Sequence, residues 1–302
     1  MAPNRPRHFK ILVTVPWRIP LLDAHADVTY GNLDTVIHPV GLLVGPTDII
    51  TDRVLDRFGP QVRAVAVAGS GTDGADLGAL SRRGVALVSA PGATTEPTAE
   101  LALTLMLMTA RGVLPAIRSL ESGTWPGWSF DQVVGRGVGG LALGLVGYGR
   151  TGRRVGSLAQ ALGMKVRHHC RTPTGEESFV PALEDLLGAS DIVSLHVPLT
   201  AETRQLIASS EIAAMRPGSI LINTSRGDVV DERALAAGLL SGHLAGAGLD
   251  VFASEPAVPS ALLGLPNVVI TPHIGSSTVA ARTAMALEAA QKLLDAIGTS
   301  AW

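Results

Sequence analysis

Leu141-Ala142-Leu143-Gly144-Leu145-Val146 runs without a break into Gly147-Tyr148-Gly149-Arg150-Thr151-Gly152, and a helical pattern follows to Leu162. The apolar run reads as a strand buried on both faces. A bare Gly-x-Gly-x-x-Gly is a weak signal, but strand, glycines and helix in that order are what a bound pyrophosphate requires. Gly147 permits the tight turn, Gly149 lets the backbone approach the phosphates, and Gly152 allows the helix to pack closely on the strand. The helix N-terminus adds unpaired N–H groups and a dipole that favours an anion. A glycine turn with a purely structural role is the alternative, and the flanking strand and helix weigh against it.

The next strand-like run, 165–169, ends where the adenosine ribose of a dinucleotide lies. An NAD-selective site places Asp or Glu there, whereas this chain has Cys170, followed by Arg171 and Thr172. Without a carboxylate nothing repels a 2′-phosphate, and an arginine can bind one through charge-assisted hydrogen bonds. NADP(H) is therefore favoured, with NAD(H) possible if Arg171 is only a solvated loop cation. His168 and His169 read as structural.

Outward from this motif the same alternation of short β-branched runs and amphipathic pieces continues in both directions, the signature of parallel α/β architecture. Upstream the strand-like runs are 10–15, 41–44, 62–68 and 85–89. From the motif onward they are 141–146, 165–169, 191–197, 219–223, 246–251 and 268–271, a set that suits a doubly wound sheet. Residues 96–112, with Pro97 near the start, read as a long connecting helix. Residues 122–140 hold Trp125 and Trp128 among many glycines, lack clean periodicity and read as a loop or arm. The last segment, 276–296, reads as an Ala-rich helix that can cross back to the first half.

A length of 302 residues suggests two domains at about 150 residues each. With 46% apolar and 17% charged residues, disorder is excluded as the default. The 24 Lys+Arg against 26 Asp+Glu leave a net charge of −2, with no basic field for nucleic acid or anionic lipid. The single cysteine, Cys170, cannot pair internally, and no Cys/His spacing of the structural-zinc kind occurs, so no metal is expected. No apolar run reaches the roughly 20 residues of a membrane span. A cytoplasmic protein is expected.

Three further motifs each follow a strand-like run: Asn223-Thr224-Ser225-Arg226-Gly227, Leu249-Asp250-Val251-Phe252-Ala253-Ser254-Glu255-Pro256, and Thr271-Pro272-His273-Ile274-Gly275. In an open parallel sheet ligands collect beyond the carboxyl ends of the strands, so Arg226, Glu255 and His273 can converge. Carbonyl reduction asks for this set. Hydride delivery creates an oxyanion, which needs a fixed positive donor, Arg226, and a proton source, His273. A carboxylate such as Glu255 favours the protonated imidazole and fixes its orientation. Each residue singly has a bland alternative, as a turn cap, a surface group or a packed core histidine; behind a dinucleotide motif the set points to chemistry.

Taken together with Gly69-Ser70-Gly71-Thr72-Asp73, Thr98-Ala99-Glu100 and His196-Val197-Pro198-Leu199-Thr200, these motifs make the chain resemble the D-isomer-specific 2-hydroxyacid dehydrogenase family, close to its glyoxylate/hydroxypyruvate reductase branch. The resemblance covers nearly the whole chain. It implies two Rossmann-like or flavodoxin-like α/β domains with parallel sheets and an active site in the interdomain cleft. Residues 1–98 with 276–302 would form the substrate domain, and 99–275 the inserted dinucleotide-binding domain. Arg226 would orient the substrate, His273 would act as acid/base with Glu255 as its partner, and backbone N–H groups around Ser70 and Gly71 would bind the substrate carboxylate. Asp250 would hold the nicotinamide carboxamide. Tyr148, Arg150, Thr151, His196, Val197, Pro198, Thr203, Thr224, Ser225, His273 and Gly275 would complete the cofactor contacts. The 122–140 region resembles a dimerisation arm, so a homodimer is expected.

The implied reaction is NADPH-dependent reduction of a small 2-oxo acid to the D-2-hydroxy acid. The alternatives are another acid (phosphonate, phosphite or aryl pyruvate) or a dinucleotide-sensing interaction protein. Formate dehydrogenases of the superfamily carry Gln where Glu255 stands, which argues against formate.

Overall fold

The computed structural model describes residues 9–132 and 134–298; the basic stretch that opens the sequence, up to residue 8, lies outside the described residues, as do position 133 of the arm and the terminal 299–302. The chain divides into two compact units, residues 9–94 with 276–298 and residues 95–275.

The first unit is built on strands β1 (Phe9–Val13), β2 (Ala26–Tyr30), β3 (Gly41–Val44), β4 (Ala64–Val67) and β5 (Ala86–Ser89). They form one parallel sheet in the order β2-β1-β3-β4-β5. Side chains alternate across a strand, and helices cover both faces of this sheet, so β3 and β4 are buried and without polar side chains at every position and β1 is so over Ile11–Val13. Leu12, Leu42, Val44, Val65 and Val67 pack on one face with Leu55 and Phe58 of α2 (Asp52–Phe58) and Leu80 of α3 (Leu77–Arg83). Ile11, Val13, Leu43, Ala64 and Ala66 pack on the other with Met285, Ala289 and Leu293 of the C-terminal helix, Val279–Ala296. That helix thus returns to the first unit. The sequence reading missed β2, an edge strand of mixed burial that pairs with β1 through its backbone and needs no apolar run. It also missed the short helix before it, α1 (Pro20–His25). Beyond β4, the 69–73 turn leads out with Ser70 exposed.

The second unit opens with α4 (Thr95–Arg111) and α5 (Val113–Glu121), separated by Gly112 at φ 63°. The expected domain boundary at 98/99 lies inside α4. Sequence periodicity did not disclose α5, which buries none of its residues. No regular element occurs between residues 122 and 141 among the described residues. Six strands follow: β6 (Ala142–Val146), β7 (Lys165–His169), β8 (Ile192–Leu195), β9 (Ser219–Asn223), β10 (Leu244–Leu249) and β11 (Val268–Ile270). Their order is β11-β10-β9-β8-β6-β7, all neighbours parallel. The chain moves outward from β6 to β7 and then in the opposite direction from β8, so β6 and β8 flank a topological switch point, where open α/β sheets bind ligands. Helices α6 (Arg150–Ala161), α7 (Leu183–Ala189), α8 (Ser209–Ala214) and α9 (Glu232–Leu240) connect the strands. Among the described residues no single helix is long and apolar enough to cross a membrane.

Candidate active site

The glycine motif joins β6 to α6 at the switch point. Gly147 has φ 95°, and a Cβ on it would lie 2.6 Å from the carbonyl oxygen of His196, in the turn that leaves β8. A Cβ on Gly152 would lie 2.3 Å from the oxygen of Gly147. Only glycine allows these backbones to meet. At Gly149 the opposite holds: a Cβ there would meet nothing within 4 Å, and no side chain caps the N-terminus of α6. Space and uncapped N–H groups coincide, as phosphate binding requires. The residues present fit a dinucleotide at a second point as well. Thr224 Oγ1, just past β9, is buried with no hydrogen-bond partner among the described residues.

Tyr148 is held on both faces. Its ring stacks on His168 at 3.6 Å, and Arg153 lies 4.4 Å from its centroid. Arg153 pairs with Glu176 at 2.6 Å. Burial lowers the His168 pKa, and both its ring nitrogens meet hydroxyls, Thr174 at 2.9 Å and Ser178 at 3.2 Å. The histidine is structural, as its sequence context suggested. At the end of β7, Cys170 is half-buried with its Sγ on the Thr172 carbonyl at 3.1 Å, while Arg171 and Thr172 are exposed. In the turn after β8, burial drives His196 down to about 4. Val197 and Pro198 follow it, and Thr203 uses its hydroxyl inside this loop, donating to the Pro198 carbonyl at 2.6 Å.

Beyond β9, Asn223 shapes the turn that presents Arg226. Its Oδ1 accepts from Ser225 N at 3.0 Å and Ser225 Oγ at 2.8 Å, and its Nδ2 donates to the Arg226 carbonyl at 2.9 Å. Arg226 Nη1 donates to the Ser225 carbonyl at 2.7 Å. The next residue, Gly227, lies against the loop beyond β10: a Cβ on it would sit 1.9 Å from the Phe252 carbonyl carbon. The Arg226 turn and the loop that carries Glu255 therefore touch backbone to backbone.

Glu255 and His273, 18 residues apart in sequence, meet at 2.7 Å between Oε2 and Nδ1. Glu255 Oε1 is anchored by Phe252 N at 3.0 Å. His273 has φ 53°, a left-handed conformation uncommon outside glycine. Asp250 holds it there. The His273 N–H donates to the Asp250 carbonyl at 2.8 Å, and the Asp250 carboxylate accepts from Thr271 Oγ1 at 2.6 Å, Ile274 N at 2.8 Å and Gly275 N at 2.8 Å. Burial raises the Asp250 pKa, and these hydrogen bonds pull the other way. Asp250 thus grips the Thr271 hydroxyl before His273 and the backbone N–H groups of His273, Ile274 and Gly275, a role its sequence position did not reveal. Asn223 and Gly227 were also passed over, although both stand in the Arg226 motif itself.

This arrangement supplies a ring nitrogen tied to a carboxylate, on a loop against which the turn carrying Arg226 packs. Ser70 and Gly71 belong to the first unit, Ser70 exposed and Gly71 half-buried in the turn that follows β4.

Residues 103–275 match the model of the D-isomer specific 2-hydroxyacid dehydrogenase NAD binding domain. The glyoxylate reductase of Thermococcus litoralis is 42% identical over 258 residues, covering 82% of this chain and 78% of that protein. The D-3-phosphoglycerate dehydrogenase of Escherichia coli is 42% identical over 232 residues, covering 74% of this chain but 56% of its own length. Among solved structures, a protein from Thermus thermophilus superposes with a TM-score of 0.89 at 40% identity, covering 96% of this chain and 97% of its own. An NADPH-dependent glyoxylate/hydroxypyruvate reductase from Sinorhizobium meliloti, in complex with NADP and malonate, has a TM-score of 0.81 at 32% identity, covering 94% and 91%. A D-lactate dehydrogenase from Aquifex aeolicus, complexed with NAD and lactic acid, has a TM-score of 0.82 at 27% identity, covering 94% and 93%. With its nucleotide loop, its strand order and these relatives in agreement, the chain belongs to the D-isomer-specific 2-hydroxyacid dehydrogenase family of NAD(P)-dependent oxidoreductases.

Proposed function

We propose that this chain reduces a small 2-oxo acid of the glyoxylate or hydroxypyruvate type to the D-2-hydroxy acid, with NADPH preferred. The observation that carries the reading is the Glu255–His273 pair at 2.7 Å, set beyond the strand ends of the dinucleotide-binding unit. A reduced nicotinamide supplies the hydride. Arg226 offsets the negative charge that develops on the carbonyl oxygen. His273 delivers the proton from Nε2, since Nδ1 is committed to Glu255, which holds the ring in one tautomer and orientation. Asp250 keeps the His273 turn in place and retains acceptor capacity for a carboxamide, because each carboxylate oxygen has two lone pairs. Gly147, Gly149 and Gly152 seat the pyrophosphate, with Tyr148, Arg150, Thr151, the 196–198 turn, Thr203, Thr224, Ser225 and Gly275 around the cofactor.

Two features support NADPH. The position after β7 is Cys170 and not a carboxylate, and Arg171 is an exposed guanidinium next to it. Oxidation of a larger 2-hydroxy acid, suggested by the phosphoglycerate dehydrogenase relative, is the second reading. The lone cysteine favours a cytoplasmic setting. Exposed Trp128 and Phe130, packed edge to face at 5.1 Å in the arm, favour a homodimer.

Initial rates with a panel of 2-oxo acids, each with NADPH and NADH, test the proposal. Preferred turnover of glyoxylate or hydroxypyruvate with NADPH supports it. Equal kcat/KM with both cofactors removes the cofactor preference, and turnover confined to 3-phosphohydroxypyruvate, the 2-oxo acid corresponding to 3-phosphoglycerate, replaces the substrate assignment.

A further inference from the structure

Two carboxylates grip neighbouring N–H groups of one turn. Glu255 takes the Phe252 N–H at 3.0 Å, and Glu232, the first residue of α9, takes the Ala253 N–H at 2.9 Å. The peptide between Phe252 and Ala253 is the one against which Gly227 is pressed. A single peptide unit thus joins three elements: the turn presenting Arg226, the residue anchoring Glu255, and Glu232. The stability of α9 does not explain Glu232. Asp231 already caps that helix, accepting from Arg233 N at 2.9 Å and Ala234 N at 3.2 Å. Nor does local electrostatics favour it. Burial raises the Glu232 pKa; the Ala253 hydrogen bond opposes this, and the nearby charges of Asp228, Asp231 and Glu255 add to it. Stability alone does not account for a half-buried carboxylate kept among three others.

We propose that Glu232 is a positioning residue for the proton-donating pair: by holding the Ala253 N–H it sets the place of the 252–255 turn, and so of Glu255 against His273. This rests on the reading that Glu255 and His273 handle the proton. Glu232 touches neither directly in the structure's hydrogen bonds; it acts through the backbone. A displacement of about 1 Å at a reacting group can cost up to roughly a hundredfold in rate, so a loosened turn is felt in kcat.

The test is steady-state kinetics on the full chain, using NADPH and the 2-oxo acid that turns over fastest, with thermal melts of every variant. Glu232→Ala should lower kcat about tenfold while the KM for NADPH stays within about twofold. Glu232→Gln retains an oxygen acceptor and should stay within about threefold of the parent kcat. In a Glu255→Ala background, Glu232→Ala should cost less than about twofold, because it acts through Glu255. If the alanine variant does not fold, Glu232→Asp, shorter by one methylene, should show the same selective fall in kcat.

Parental kcat in Glu232→Ala or Glu232→Asp overturns the proposal. So does a glutamine variant as impaired as the alanine one, or a full loss that persists without Glu255. His273→Ala run in parallel separates the two levels. Near-normal turnover there removes the proton role and this inference with it, whereas collapse there beside a normal Glu232→Ala removes the positioning role alone.

Discussion

Asp250→Asn changes one oxygen of a side chain that is 1% exposed. In the parent, Oδ1 accepts from Thr271 Oγ1 and Ile274 N, and Oδ2 accepts from Gly275 N. Asparagine preserves shape and one oxygen, which can keep two of these bonds. Its amide nitrogen then faces a buried N–H, donor against donor. A buried donor left without a partner costs about 1–3 kcal/mol. Burial raises the pKa of the Asp250 carboxyl against the pull of its hydrogen bonds, so removing the charge brings no loss of its own and the orphaned donor sets the magnitude. With about 2 kcal/mol lost, and about 2–4 °C of Tm per kcal/mol for a domain of this size, the melt followed by far-UV circular dichroism should fall by about 4–8 °C. His273 hangs from the same turn through its own N–H on the Asp250 carbonyl, so kcat should fall about tenfold beyond any loss of folded protein. An asparagine variant with parental Tm and parental kcat refutes the view that Asp250 holds the His273 turn.

His273→Ala should lower kcat by roughly 10²–10⁴ and leave NADPH binding, measured by fluorescence titration, nearly unchanged; near-normal turnover in a folded variant ends its role as the acid. Arg171→Ala should reduce kcat/KM with NADPH at least about tenfold and spare NADH, while equal losses with both cofactors make the residue structural. Burial holds His196 at about 4, against 6.5 for a free side chain. Between those values the unfolded chain binds a proton that the folded one refuses, so stability rises with pH across this window and is lost as pH falls through it, by up to about 3 kcal/mol. Urea titrations from pH 4 to 7 should show that slope, and His196→Gln should flatten it; an unchanged slope in the variant contradicts the assignment.

What the sequence determined by itself was whatever contiguous residues encode. The strand before Gly147, the glycine turn and the helix after it depend on apolar period, backbone freedom and helix N-terminal chemistry, all readable within about two dozen neighbours. The inner strands were legible for the same reason, since burial on both faces leaves continuous apolar runs. Arg226, Glu255 and His273 could be picked out because each follows such a run. Tertiary structure alone decided which of them meet. Glu255 reaches His273 because β10 and β11 are parallel neighbours with ends in register, and Gly227 meets the Phe252–Ala253 peptide because β9 lies on the other side of β10. The edge strand β2 and the unburied helix α5 left no clear pattern, because neither needs a fully apolar face. Asp250 and Glu232 were read as a possible cofactor ligand and not at all, respectively. Their partners are backbone N–H groups, which every residue but proline carries and no sequence pattern marks, so only the path of the folded chain shows which N–H a buried carboxylate holds.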